Sequence, residues 1–498
     1  MNRPALAGLG ALAVLLTGCF SAPTTEEPGT AGESRIRLAM LQPPRSGLSP
    51  LSDDAFKLSR WHTAETLVVL NPAGDAEPGL ATSWTRRDPR TWAFTVREGV
   101  RFHDGTPFTA REAAAALTAA DRAAPKPRIL DGVALSATAE SPTTVVVTTG
   151  RPDPLVPQRL SSPQLAILAP KAYATKGVVD PVGTGTGPFV LTEVNGTASA
   201  RLDRFDGYWG GPAASPGIDV DFVPDGAARA AALRTGSADV VEAIPVAQAP
   251  LLDPALVHEV PMPRTNTLYL NTERGPLADP DLRAAVAAAV DREPIVSSVY
   301  EGRADVAAGL LGPALPWAAE LRQPIAPARS TRVPAGTTLA LGTFTDRAEL
   351  PEVAVRLQQQ LEAVGFSVQQ DVREYAQIEA DALAGKFDAF ILSRATVLDS
   401  GDPVAYLYSD FACDGSFNIA QLCDADVDAA LTRAAALPAG PERRAATLAA
   451  EQLILQTRAA VPMLHERVIQ GESARVDEVA RDPRERILIT PTTRVAAE

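Results

Sequence analysis

Hydrophobic residues fall at alternate positions in TWAFTV, where Trp92, Phe94 and Val96 would share one face of a half-buried strand. Turn signals, Glu98-Gly99 and Asp104-Gly105, bracket VRFH. The period then changes: Thr109 and Glu112 stand at capping-box spacing ahead of the alanine-rich run AAAAL. TTVVVTT, residues 143–149, predicts a β-branched strand. AARAAALRTGSADVVEA predicts a helix stopped at Gly236 and a strand after it. Asp279 and Pro280 supply a cap and a first turn for DLRAAVAAAVD. Val353, Leu357, Leu361 and Val364 trace one helical face, Gly365 ends that helix, and FSVQQDV resumes as a strand. GKFDAFILSR is a continuous apolar run of the kind covered on both faces of a sheet. ERRAATLAAEQLILQTRAAV predicts a late helix broken at Pro462, before the strand PMLHERVI. Alternating periods of this kind specify α/β sheets.

The first residues follow another logic. Met1-Asn2-Arg3 is a short positive start, and Pro4 to Leu16 is apolar but too short to span a bilayer, which takes about 20 residues. Residues 1–18 are expected to be a signal peptide. Leu16-Thr17-Gly18-Cys19 resembles the bacterial lipobox, which implies a lipid on Cys19. Residues 19–34, rich in Ser, Thr, Pro, Gly and Glu, read as a flexible tether.

The 498 residues, 46% of them hydrophobic, suffice for two or three folding units. A net charge of −14 argues against nucleic acid as a partner and against an electrostatic grip on anionic lipid. The two cysteines besides Cys19, Cys413 and Cys423, are expected to form a disulfide in an exported chain. The four histidines are scattered, so no metal site is expected. The glycine-rich GTGTGPF, residues 183–189, lacks the Lys-Ser/Thr of a phosphate loop and reads as a turn into a strand.

Several ordered segments carry a resemblance. They are EPGLATSW (77–84), WAFTVREGVRFHDGTPFTAREAAAAL (92–117), GTGPFVLTE (185–193) with DGYWGG (206–211), and LRTGSADV (233–240). TLYLNT, PDLRAAVAAAVDREPIV (280–296), LEAVGFSVQQDV and GKFDAFIL follow. In this order they resemble the family 5 extracellular solute-binding proteins of ABC importers, which include dipeptide-, oligopeptide- and nickel-binding proteins. The resemblance implies an α/β, two-lobed type II periplasmic-binding fold with an additional inserted domain. The implied division is lobe I at 35–60, 183–265 and 465–498, an inserted domain II at 61–182, and lobe III at 266–464. The chain would then cross between lobes near Arg264-Thr265-Asn266 and near Met463-Leu464-His465.

Site residues follow from the same resemblance. Asp399-Ser400-Gly401-Asp402-Pro403 resembles a D-x-G-D-P stretch of dipeptide-binding proteins, whose first Asp holds the ligand's α-ammonium group. A buried ammonium needs a fixed counter-charge, which Asp399 would supply; the alternative is a turn carboxylate. Backbone groups of Thr396, Val397 and Leu398 would lie beside an extended ligand and read its main chain. Peptide binders often carry Trp and Gly just before the Asp, where this chain has Thr396 and Leu398. Arg45 and Leu48 occupy the region of a "T-L-D-P" cleft turn, with Ser49 in place of its Asp. Asn266 and Tyr269 stand beside the first crossing, and Asn271 is expected to satisfy backbone groups.

The expected function is capture of a small solute, foremost a peptide, by a monomeric, lipid-anchored protein outside the cell membrane. It would deliver that solute to ABC permease subunits and their ATPase, without a cofactor. A non-peptide solute (a nickel chelate, an opine or a modified sugar) is the alternative, as is a sensing or scavenging receptor. A secreted hydrolase is the remote rival. The sequence has no G-x-S-x-G, no H-E-x-x-H and no clustered His to serve one.

Overall fold

Two long strands, Val257–Leu270 and Ala460–Glu472, run antiparallel through the middle of an eleven-stranded sheet. A computed structural model describes residues 34–175, 177–324, 333–396 and 400–496. Val257–Pro261 pairs with Arg467–Gly471, and Thr265–Tyr269 pairs with Ala460–His465. Register shifts fall between Pro261 and Thr265 and between Asn266 and Thr267. One pair of strands therefore serves two packed bodies, and the irregular pairing lies between them.

On one side the sheet continues through Val240–Val241, Ile36–Met40, Gly217–Phe222, Ser199–Arg204 and Phe189–Asn195. Ile36, Leu38, Phe189, Leu202 and Ile218 form its core with Leu488, Ile489 and Val495 from the chain's end. On the other side it continues through Ala389–Ala395, Thr338–Phe344 and Ser367–Arg373, the last two parallel pairings being the mark of helical crossovers. The core there draws only on residues between Leu268 and Leu464. A third body is a four-stranded antiparallel sheet in the order Ala81–Asp88, Thr91–Val96, Thr144–Thr149, Leu135–Ser141, packed on helix Ala110–Arg122. Thr109 caps that helix, with both reciprocal bonds of a capping box to Glu112.

Several sequence expectations match these elements. Helix Gly226–Arg234 is followed by Gly236 at φ +71°, which glycine adopts without steric cost. Asp279 accepts from the Asp281 N–H ahead of helix Pro280–Ala289. Ala389–Phe390–Ile391–Leu392–Ser393 is buried at every position. Asn271 donates to the Gly385 and Phe387 carbonyls and accepts from two backbone N–H groups.

Two expectations need correction. Helix Glu349–Ala363 buries Val353, Leu357 and Leu361, but Val364 lies past its last turn and is 42% exposed. The late helix Pro441–Thr457 is ended by Arg458, which adopts a left-handed conformation at φ +56°. Pro462 already lies inside the following strand, so the missing N–H at Pro462 is not what stops the helix. Cys413 and Cys423 are bonded as a disulfide, their Cα atoms 4.3 Å apart.

Buried histidines add a pH dependence. His103 packs against Phe205, its Nε2 2.8 Å from the Gly187 carbonyl. His465 sits 2.9 Å from the Thr265 hydroxyl. Burial lowers both imidazoles to about 4. The unfolded chain takes up these protons from about pH 6.5 downward, the native chain only near pH 4. Stability is therefore complete above about pH 6.5 and drains as pH falls toward 4, by roughly 3 kcal/mol per histidine. Urea unfolding followed across that interval should show the decline, and His465→Gln should reduce its slope.

Candidate ligand cleft

The junction of the bodies is built around strand Ala389–Ala395. Its partner register sets Ser393 opposite Asn266, Arg394 opposite Thr265 and Ala395 opposite Arg264. Thr396 extends this pairing by one residue, donating its N–H to the Pro263 carbonyl at 2.8 Å and its hydroxyl to the same oxygen at 3.3 Å. Five residues further on, Gly401 and Asp402 are fixed again. Asp402 accepts from Arg443 Nε at 2.6 Å and from Nη2 at 2.9 Å, and also from the Val404 N–H at 3.0 Å at the start of helix Val404–Phe411. Thr396 and Asp402 are thus each held by the surrounding structure. Asp399, Val397 and Leu398 lie outside the described residues, as does Cys19.

The other expected contacts divide. Asn266 is fully buried, donates to the Tyr300 hydroxyl at 3.1 Å, and leaves its Oδ1 without a partner. Arg45 is exposed, and its backbone N–H is held by Asp54 at 2.9 Å. Leu48 is fully buried with Ile36, Leu38 and Met40, so its side chain packs the core instead of lining a cleft. Tyr269 likewise points into a core: it stacks on Phe411 at 5.7 Å and donates to Asp410 at 3.1 Å. Asp410 is completely buried, and Arg394 meets it with two nitrogens while lying over Phe417 at 4.3 Å. Burial pushes the Asp410 carboxyl up against the opposing pull of Arg394.

The bodies also meet face to face. Segment 70–75, folded on itself by Asn71 Oδ1, reaches from the antiparallel-sheet body to Gly401. A Cβ on Gly74 would lie 3.1 Å from the Gly401 carbonyl, and one on Gly401 would lie 2.5 Å from Leu70 Cδ1. Arg444 holds Asp75 at 2.6 Å, and Arg484 donates to the Leu70 and Pro72 carbonyls. The space left between these surfaces is about 30 Å³. The bodies are therefore in direct contact along this rim. The Arg444–Asp75 pair is partly exposed and is worth at most about 1 kcal/mol. Arg444→Ala should shift the balance toward separated bodies by up to about five-fold. Single-molecule energy transfer between labels at Thr138 and Arg433 would read that shift.

A further charge stands at the crossing itself. Arg264 is partly buried, its Nε is sealed from solvent without a partner, and its guanidinium makes no hydrogen bond or ion pair with any described residue. Sequence reading placed this residue at the crossing but gave it no ligand role. The available signal is a lone cation in PMPRTNTLYL, an otherwise uncharged stretch of that strand.

Comparison with known proteins decides the family. A model described as bacterial extracellular solute-binding proteins, family 5 middle, matches residues 75–418. The chain belongs to this family. Family 5 proteins serve ABC importers by binding solutes outside the cytoplasm. The glutathione-binding protein GsiB of Shigella dysenteriae serotype 1 is 28% identical over 426 residues, covering 79% of this chain and 81% of the relative. A nickel ABC transporter structure from Bacillus halodurans superposes with a TM-score of 0.78 at 24% identity, covering 93% of this chain and all of that one. DppA of Helicobacter pylori, in complex with the peptide STSA, gives 0.73 at 20% identity, covering 93% of this chain and 98% of that one. The two structures show that the fold is the two-lobed one of these binding proteins. No helix among the described residues is long and apolar enough to cross a membrane, and no group of three or more metal-ligating side chains occurs among them.

Proposed function

We propose that this family 5 protein captures peptides between its lobes and hands them to an ABC permease and its ATPase. One observation supports the reading: the described residues nearest Asp399 in sequence are held in place, Thr396 on Pro263 beside the crossing of the two long strands and Asp402 on Arg443. A carboxylate there would meet a ligand ammonium, and Thr396 to Leu398 would offer main-chain groups to an extended peptide. Arg45 stays a secondary contact at the rim. The peptide-bound DppA and the glutathione-binding relative support a peptide class.

The same reading divides the chain into lobe I (35–60, 183–265, 465–498), domain II (61–182) and lobe III (266–464). It makes the protein a monomeric binder and not an enzyme. Cys19 would carry a lipid after removal of residues 1–18, holding the receptor beside its transporter and raising its local concentration there. Native mass spectrometry of residues 20–498, with release and sequencing of anything bound, tests the ligand class. Peptides carried by the wild type and lost from Asp399→Asn are expected. A bound non-peptide, or equal peptide occupancy in the variant, would overturn the assignment.

A further inference from the structure

Burying an arginine without a partner is costly, and the cost falls when an anion is supplied. The charged groups acting on Arg264 come from all sides of the junction: Arg347 from the turn after strand Thr338–Phe344, Glu466 from the other long strand, Glu485 from the C-terminal segment, and Arg128 from the antiparallel-sheet body. Nearly every one of these is already engaged. Arg347 holds Glu466 at 2.8 Å. Glu485 faces Arg60 at 3.7 Å and its carbonyl accepts from Arg60 Nε at 2.7 Å. Arg128 faces Asp53 at 3.3 Å. The carboxylates that would neutralise Arg264 are thus committed to other arginines. What remains is a cation without a partner of its own, between two arginines and two carboxylates already bound to other groups; burial first, and then Arg347, lowers its proton affinity. Two residues along the same strand, Asn266 Oδ1 is also buried and unpartnered. Residues 264 and 266 share a face of that strand.

We infer that Arg264 is the anchor for a carboxylate of the captured solute, held at the crossing between the bodies, with the neighbouring Asn266 Oδ1 available to an N–H on the same molecule. The inference rests on the reading of the protein as a solute binder and does not require that the solute be a peptide. An arginine fork meets a carboxylate through two parallel N–H···O bonds, a geometry that lysine cannot reproduce. The site accordingly selects acids over their neutral amides.

The test uses residues 20–498, unfolded in guanidinium to strip bound solute and refolded, with titration calorimetry against a fixed panel. The panel is tri-alanine, tri-alanine amide, glutathione and glutarate. Wild-type protein should bind at least one acid, and tri-alanine about ten-fold or more tighter than its amide. Arg264→Gln should abolish that preference while retaining amide binding, and Arg264→Lys should recover only part of it. Equal melting temperatures would separate this from loss of fold. Tri-alanine bound with no preference over its amide, or unchanged by Arg264→Gln, overturns the anchor and leaves the peptide reading standing. Binding of glutarate alone, lost in Arg264→Gln, supports the anchor and overturns the peptide reading. A folded wild type that binds nothing in the panel overturns both.

Discussion

Gly187→Ala should cost about 3 kcal/mol of stability, a large fraction of the roughly 5–15 kcal/mol by which a native protein is stable. An ideal Cβ on Gly187 would stand 1.9 Å from the His62 carbonyl oxygen and 2.9 Å from its carbon. On Gly185 it would stand 2.0 Å from the Thr63 oxygen. These obstacles are backbone atoms and cannot rotate aside. The contact is further pinned by the Gly187 N–H on the Thr63 carbonyl at 3.2 Å and by the His103 N–H on the Gly185 carbonyl at 2.8 Å. Gly185 and Gly187 therefore serve close backbone packing, where a phosphate loop would use its glycines to approach a ligand. Urea unfolding monitored by tryptophan fluorescence gives the difference directly. A loss under 1 kcal/mol would contradict the packing described here.

The second large effect is expected from Arg443→Ala. Arg443 is 5% exposed and forms a buried ion pair with Asp402. Its Nη1 also donates to the carbonyls of Ala434, Ala435 and Leu437 at 2.6, 3.0 and 2.7 Å. These are carbonyls of the last turn and C-cap of helix Ala425–Ala436, where the i→i−4 pattern runs out and Ala434 alone accepts a further bond, a weak one from the Leu437 N–H at 3.3 Å. Truncation strands the Asp402 carboxylate and these carbonyls together. A loss of about 3–5 kcal/mol is expected, because removing one member of a buried pair leaves an uncompensated charge. Asp402 also fixes one flank of the segment that carries Asp399, so ligand affinity should fall in the fraction that remains folded. Arg443→Lys should restore part of the stability, since a single ammonium cannot serve Asp402 and three carbonyls at once. Chemical denaturation of the three proteins, followed by calorimetry with one bound peptide, checks both effects.

The sequence was most informative where one physical period dominated. Ala389–Ala395 shows its double-sided burial as an unbroken apolar run, and Thr109 and Glu112 show a helix start by spacing alone. It was least informative about direction. Tyr269 and Leu48 stand at plausible cleft positions, yet both side chains turn inward, because position near a crossing does not say which face of the backbone a residue occupies. Val364 continues the helical period although the helix has already ended. Arg458 ends a helix through a left-handed turn that arginine seldom marks in a sequence. Arg443 reads as one of two adjacent surface cations in PERR, and only the return of Gly401-Asp402 to the start of helix Pro441–Thr457 makes it a buried anchor. The lack of partners around Arg264 is a three-dimensional fact, since every carboxylate near it is engaged by an arginine distant in sequence.

Capture as proposed above requires that a solute is taken up between bodies that then close on it. Small-angle X-ray scattering of refolded, solute-free residues 20–498, recorded with and without saturating tri- and tetrapeptides, tests it most directly. A larger radius of gyration is expected without peptide, falling on addition to the value of the contacting form held by Arg444–Asp75 and Gly74–Gly401. An identical radius in both conditions, with peptide bound as judged from the same samples, would contradict capture by closure.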